Sequence, residues 1–283
     1  MDRLYRHIET CNNLPSPAGM VPFRIGAEQV GWLDPDLARW LAFRPRDFHF
    51  DAGGVSLPAR LRGPARDRVL AETARDLEKA GLLRVRDELF DLRTAPEAPV
   101  LARLDRGAIP AFGALAQGVH LNGLVRRPDG LHIWLGKRAR DKAVAPGQWD
   151  NIVAGGIPAG LSPEDTLLKE AGEEAGLPPE MAALARRVGR ASYIMKNPEG
   201  LRRDVLHLFD LELPEGFTPV PHDDEVEHFE LWPAARVLEA VRETDDFKFN
   251  VNLVLIDLFL REGLVDPQSA EGRRLRNGLE AGA

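Results

Sequence analysis

Apolar residues in the first hundred positions come in short bursts between turn residues, and the spacing within each burst predicts an element. Val69, Leu70, Ala74 and Leu77 recur at helical spacing, with Pro64 near the start and Gly81 as a stop, so residues 64–80 predict a helix. Residues 2–11 and 36–43 predict two more helices. Residues 23–33 predict a short strand, and Asp51-Ala52-Gly53-Gly54 a turn between extended pieces. Residues 82–93 predict a hairpin around Asp87-Glu88. Residues 94–99, with two prolines, predict a linker. Beyond it the run 118–127, GVHLNGLVRR, turns at Pro128-Asp129-Gly130 into LHIWLGKR, which predicts a hairpin. Residues 149–154 predict a strand. RRVGRASYIMK and LRRDVLHLFDLEL predict two more, joined through Asn197-Pro198-Glu199-Gly200. A short strand before Trp232 and helices over 233–242 and 249–262 complete the pattern. The class is α/β, and the alternation in the second half predicts helices packed against a mixed sheet.

One run breaks the ordinary pattern. Gly155 to Leu177 reads GGIPAGLSPEDTLLKEAGEEAGL. Ser162 predicts an N-cap, Pro163 the first helical position, Asp165 the capping-box acid and Gly176 the left-handed stop. Leu167, Leu168, Ala171 and Ala175 predict the core face. Glu170, Glu173 and Glu174 stand at helical offsets of three and four, so their carboxylates share one face and repel. A hard divalent ion with phosphate oxygens offsets such repulsion. A solvated acidic face is the plainer reading of any charge run. Turn, cap, acid cluster and stop in this order favour the metal. Gly172, costly in a helix interior, predicts that something packs or binds against that backbone.

The run resembles the Nudix box: a glycine, five residues, a glutamate, seven residues, then Arg-Glu-aliphatic-any-Glu-Glu-any-Gly-aliphatic. Gly155 takes the first glycine, and residues 169–177 take the helical part. Leu161 stands where the early glutamate belongs, and Lys169 replaces the arginine. The resemblance implies a Nudix fold, a mixed sheet sandwiched between helices, preceded here by a small α/β N-terminal domain. It implies Mg²⁺, with Mn²⁺ as a substitute, held by Glu170, Glu173 and Glu174. It also implies hydrolysis of a diphosphate linkage, with Glu173, Glu174 and Glu225 as candidate catalytic carboxylates. The domains read as 1–110 accessory, 111–265 hydrolase and 266–283 tail. The variant of the box looks like a branch associated with oxidised thiamine diphosphates, with relatives beside thiamine pyrophosphokinase in fungi. The resemblance therefore implies a damaged thiamine diphosphate, cleaved to the monophosphate. ADP-ribose or another nucleoside diphosphate derivative is the alternative substrate. Leu161 and Lys169 keep open a non-catalytic ligand-binding protein.

Other residues extend the candidate site. Arg138, Arg140 and Lys142, with Gly155 and Gly156 of the turn, predict contacts to a diphosphate. Trp149 predicts either a stacking ring for the substrate or a core residue, and Trp134 a second ring. Glu225, in HDDEVEHFELW, predicts a further ligand or base. Lys169 predicts a supporting charge beside the glutamates. His120, His132 and His207 fall in strand patterns and predict packing rather than catalysis. The single cysteine, Cys11, excludes an internal disulfide and a cysteine-rich zinc site. It also lies outside the domain in which a Nudix-fold isoprenoid isomerase needs one.

Composition closes off other classes. The chain has 283 residues, 44% hydrophobic and 29% charged, as ordinary globular proteins do. A formal charge of -7 argues against nucleic acid as the main partner. The helix over 64–80 followed by GLLRVRDELFDLR faintly resembles a winged helix, but acids alternate with its arginines and no basic face forms. No apolar stretch spans a bilayer, and the start lacks a secretory h-region, so the expected location is the cytoplasm or an organelle matrix. The expected partner is a small diphosphate; the sequence leaves the oligomeric state open.

Overall fold

The computed structural model describes residues 3–14, 16–142, 144–222 and 224–282. Asp2, expected in the first helix, lies outside them. In chain order the first unit runs α1 (Tyr5–Cys11), β1 (Val21–Ile25), β2 (Glu28–Leu33), α2 (Pro35–Leu41), β3 (His49–Asp51), β4 (Gly54–Leu57), α3 (Pro64–Lys79), β5 (Leu89–Leu92) and β6 (Ala102–Asp105). The second runs β7 (Leu115–Arg127), β8 (Gly130–Arg138), β9 (Trp149–Asn151), β10 (Val153–Gly156), α4 (Pro163–Ala175), α5 (Pro179–Ala182), β11 (Arg186–Asn197), β12 (Gly200–Glu212), β13 (Val226–Pro233), α6 (Ala234–Glu243), α7 (Val251–Arg261) and α8 (Ala270–Leu279).

The N-terminal unit is a four-stranded sheet in the order β2-β1-β4-β3, plus the ribbon β5-β6. Its core gathers Phe23, Leu33, Phe48, Leu70, Leu77, Leu104 and Phe112. Two expectations change here. The single strand over 23–33 is a hairpin, β1 and β2, turning at Gly26 with φ 66°. The hairpin over 82–93 does not form. β5 pairs instead with β6, Leu89 opposite Asp105 and Leu92 opposite Ala102. Side chains hold the preceding segment: Val85 N–H donates to Glu78 and Arg86 N–H to Asp105. Residues 94–99 are thus the connection within that ribbon, not a link between units.

The second unit is a seven-stranded mixed sheet, β11-β12-β7-β8-β13, with β10 beside β7 and β9 beside β8. β7 and β12 run parallel; the other pairs are antiparallel. The segment expected as one strand over 149–154 splits into β9 and β10, which pair with different neighbours. Alternation along β7 and β12 divides their side chains between two cores. Val119, Leu121, Phe209 and Leu211 pack against Leu167 and Ala171 of α4. Leu206 and Leu208 pack against α7, where Val251, Leu255, Leu258 and Phe259 are wholly buried. This is the expected sheet between helices.

The chain's two ends meet on the α7 side. Leu4, Ile8 and Cys11 of the first helix region belong to the α7 core, with Leu275 and Leu279 of α8. Residues expected within a tail therefore contain a packed helix, capped by Ser269, which accepts from Gly272 N–H at 2.9 Å. No described helix is long and apolar enough to cross a membrane.

Candidate active site

α4 forms where its sequence signals place it. Ser162 accepts from Asp165 N–H at 3.0 Å, Pro163 opens the helix, and Gly176 closes it with φ 60°. Leu167, Ala171 and Ala175 bury against the sheet, while Leu168, expected beside them, is 40% exposed. One helical step of 100° carries it off the apolar stripe. Within the described protein, nothing lies within 4 Å of a Cβ built on Gly172.

The stripe carries two glutamates against β10. Glu174 is buried, and its Oε2 accepts the Ala154 N–H at 2.8 Å. Glu170, one turn earlier, lies against Gly155. A Cβ there would stand 2.7 Å from Glu170 Cγ and 3.0 Å from Oε2. Gly155 is thus a glycine because a carboxylate occupies the space of its side chain. Glu173 is rotated outward, and Lys169 Nζ bridges it at 2.5 Å to Glu170 at 3.1 Å. The Glu173 hydrogen bond chiefly holds the Lys169 ammonium above its ordinary value.

Burial raises the Glu174 carboxyl well above the usual range, and the charges of Asp150, Glu170 and Glu225 add to it against the Ala154 bond. Burial likewise raises Glu170, opposed by Lys169 and reinforced by Glu173 and Glu225. A buried and a partly buried carboxylate, raised by burial and then by neighbouring carboxylate charges, are short of positive charge. Among the described residues, no three His, Cys, Asp or Glu side chains stand in a group ready to hold a metal. They are drawn instead around Lys169 and the Ala154 N–H. By donor type the set fits a hard, oxygen-preferring divalent cation.

The loop residues separate into three fates. Lys142 pairs with Glu225 at 2.7 Å, and Glu225 is anchored where its carbonyl accepts Ala139 N–H at 3.0 Å. Burial alone raises the Glu225 carboxyl; the Lys142 bond and charge, with Arg138 and Arg106, outweigh it and leave it lowered. Arg140 is 88% exposed and 3.7 Å from Glu227. Arg138, expected at the phosphate, is spent inside the wall: with Lys248 it neutralises buried Asp150, at 2.8 and 2.9 Å. Trp149 takes the core place that was open to it. It is 7% exposed, edge-on to Trp232 at 5.0 Å between ring centroids, with Lys137 Nζ 4.5 Å from its own. Trp134 is buried in the α4 core. Leu161, by contrast, is 38% exposed.

Two groups of residues lay outside the expected site. The first is a buried polar chain across β7, β9 and β12. His120 Nδ1–H donates to Asn151 at 2.9 Å, Asn151 to Asn122 at 2.8 Å, and Asn122 to Asp210 at 2.9 Å, which pairs with Arg261. Burial, then the Lys248 charge, pulls His120 down to about 4. Asparagines inside apolar strand runs were the available signal. The second comes from the N-terminal unit. A Cβ on Gly156 would meet the Phe90 ring at 2.5 Å. Ala159 N–H donates to Leu89 O at 2.7 Å, and Gly160 N–H to Asp91 at 3.2 Å. The loop between β10 and α4 is therefore seated on β5. No local pattern announces that contact.

Comparison with known proteins matches residues 118–252 to the NUDIX domain and residues 3–116 to a domain of unknown function (DUF4743). Nudix hydrolase 20, chloroplastic, of Arabidopsis thaliana is 37% identical over 293 residues, covering 96% of this chain and 77% of its own. Nudix hydrolase 24, chloroplastic, of the same plant is 37% identical over 280 residues with the same coverage. The crystal structure of DR0079 from Deinococcus radiodurans aligns with a TM-score of 0.47 at 19% identity, covering 59% of this chain and 97% of that one.

Proposed function

The chain belongs to the Nudix hydrolase family, and on that premise we propose that it cleaves a damaged thiamine diphosphate to the monophosphate with Mg²⁺ or Mn²⁺. The observation that carries the hydrolase reading is the pair Glu170 and Glu174, packed from one helix face against Gly155 and the Ala154 N–H. Glu170, Glu173 and Glu174 would hold the ion. A bound divalent ion supplies charge neutralisation at phosphorus and a more acidic water. The protein's own groups do the rest. Ala154 N–H fixes the Glu174 rotamer, and Lys169 ties Glu170, seated against Gly155, to the outward-facing Glu173. A box carboxylate takes the proton of the attacking water, and Glu225, pinned by Lys142, remains an anion. Arg140, with its head in solvent, and Lys142 are the loop cations that reach the diphosphate; Gly155 and Gly156 line its approach. The division into an accessory unit, 1–110, and a hydrolase unit, 111–265, belongs to the same proposal, with α1 and α8 packed across it into the α7 core.

The thiamine assignment rests on the branch to which the box is similar. Its test is kcat/KM with Mg²⁺ for oxidised thiamine diphosphate, intact thiamine diphosphate, ADP-ribose and nucleoside triphosphates side by side. The oxidised compound is expected to lead. A nucleotide leading by tenfold, about 1.4 kcal/mol of transition-state preference, removes thiamine and keeps the hydrolase.

A further inference from the structure

A cleft of about 380 Å³ opens between the N-terminal ribbon and the loop that leads into α4. Both units build it. Phe90 and Val100 come from the ribbon and its surroundings; Leu115, Ile157 and Leu161 come from the second unit. Leu161 is the residue that replaces the early glutamate of the box. Its half-exposed side chain turns that departure into an apolar wall. Val100 is 42% exposed. Apolar side chains left open to water beside a concave surface are the usual lining of a ring pocket.

The charged groups of the lining lean one way. Arg93, Arg103 and Arg187 stand against Asp91 and Glu97. Asp91 Oδ2 is engaged by Arg93 at 3.1 Å; its buried Oδ1 has no hydrogen-bond partner among the described residues and lies 3.5 Å from Arg103. Glu97 pairs with Arg190 at 2.6 Å, and Arg187 lies 3.7 Å from Glu164. At the floor, Arg187 donates to His207, and His207 Nε2–H donates to Gln117 at 2.8 Å. Such walls tolerate a neutral or electron-rich ring and repel a fixed positive charge. Reach is suitable. Pro163, at the start of α4, lines the cleft, and Glu170 lies two turns further, about 10 Å along the helix axis. That is the span from a diphosphate to a ring on a short linker.

We propose that this cleft is the subsite for the non-reacting end of the substrate, a flat neutral ring, and that Leu161 and Phe90 are specificity-determining residues there. The proposal rests on the diphosphate-hydrolase reading for what sits at α4. It adds the chemistry of the other end, and with it a role for the N-terminal unit.

The test uses the full chain and three esters: 2-phenylethyl diphosphate, 2-(pyridinium-1-yl)ethyl diphosphate and methyl diphosphate. Wild type is expected to prefer the neutral-ring ester at least tenfold in kcat/KM over each of the others. In Leu161→Glu that preference should fall at least tenfold, and the pyridinium ester should gain on the neutral one. Val100→Asp, on the same wall, should act the same way if Leu161→Glu does not fold. An equal loss on all three esters, or no ring preference in wild type, overturns the subsite. Calorimetry with 2-phenylethyl phosphate, without metal, separates this from the hydrolase reading. Wild type is expected to bind it, and Leu161→Glu at least fivefold more weakly. Binding without hydrolysis of any ester leaves the subsite standing and removes the hydrolase. Hydrolysis without such binding removes the subsite alone.

Discussion

Lys169 stands where the family's box has an arginine, and its single ammonium reaches two glutamates, Glu170 and Glu173. A point charge holds them without the fixed fork of a guanidinium, so its role is support. Lys169→Met is expected to lower kcat by about tenfold, against roughly a hundredfold or more for Glu173→Gln, the tenfold step being about 1.4 kcal/mol. Steady-state kinetics at saturating Mg²⁺ check this; equal losses would give Lys169 a direct catalytic part. His120 makes a different prediction. Its imidazole, ordinarily near 6.5, is held at about 4 in the folded chain. Above pH 6.5 neither state is protonated. As pH falls from 6.5 to 4, the unfolded chain takes the proton first, so stability drops by up to about 3 kcal/mol through this residue. Urea melts across that window should show His120→Gln losing less stability with falling pH than wild type. A parallel decline would contradict the buried neutral imidazole.

At the scale of elements, α4 was legible and its seat was not. Ser162, Pro163, Gly176 and the carboxylate spacing are local signals, and the helix forms on them. β5 was misread because its partner, β6, lies beyond two prolines, and hairpin patterns report only near neighbours. Arg138 and Trp149 look like loop and ring ligands until Asp150 and Trp232, from other strands, claim them. α8 was hidden by its own polarity: Leu275 and Leu279 are its large buried apolar residues. The contact of β5 with the loop between β10 and α4 has a direct consequence. Gly156→Ala places a methyl against the Phe90 ring, and the loop must shift. Activity is expected to fall by tenfold or more, and Phe90→Leu in the same chain to restore part of it. If Phe90→Leu gives no rescue, β5 does not position the loop.

For the whole molecule, the two ends of the chain close over α7. Ile8 is 2% exposed in the α7 core, against Gly278 of α8, where a Cβ would meet its Cγ2 at 2.8 Å. Truncating it opens a cavity in the α7 core although it lies in the first helix. Ile8→Ala is expected to cost about 3 kcal/mol, read from denaturant melts; a cost confined to a partial transition of the N-terminal sheet would contradict this packing. On the other side of the sheet, Glu170 and Glu174 are set against β10, the arrangement that carries the hydrolase reading. The measurement that tests it most directly is phosphate release from oxidised thiamine diphosphate and the other diphosphates, with Mg²⁺ or Mn²⁺, by wild type, Glu170→Gln and Glu174→Gln. Wild type should turn over at least one of them, stop in chelator, and lose about three orders of magnitude in kcat, about 4 kcal/mol, in either folded variant. Folded variants that hydrolyse as fast as wild type at saturating metal would contradict the account.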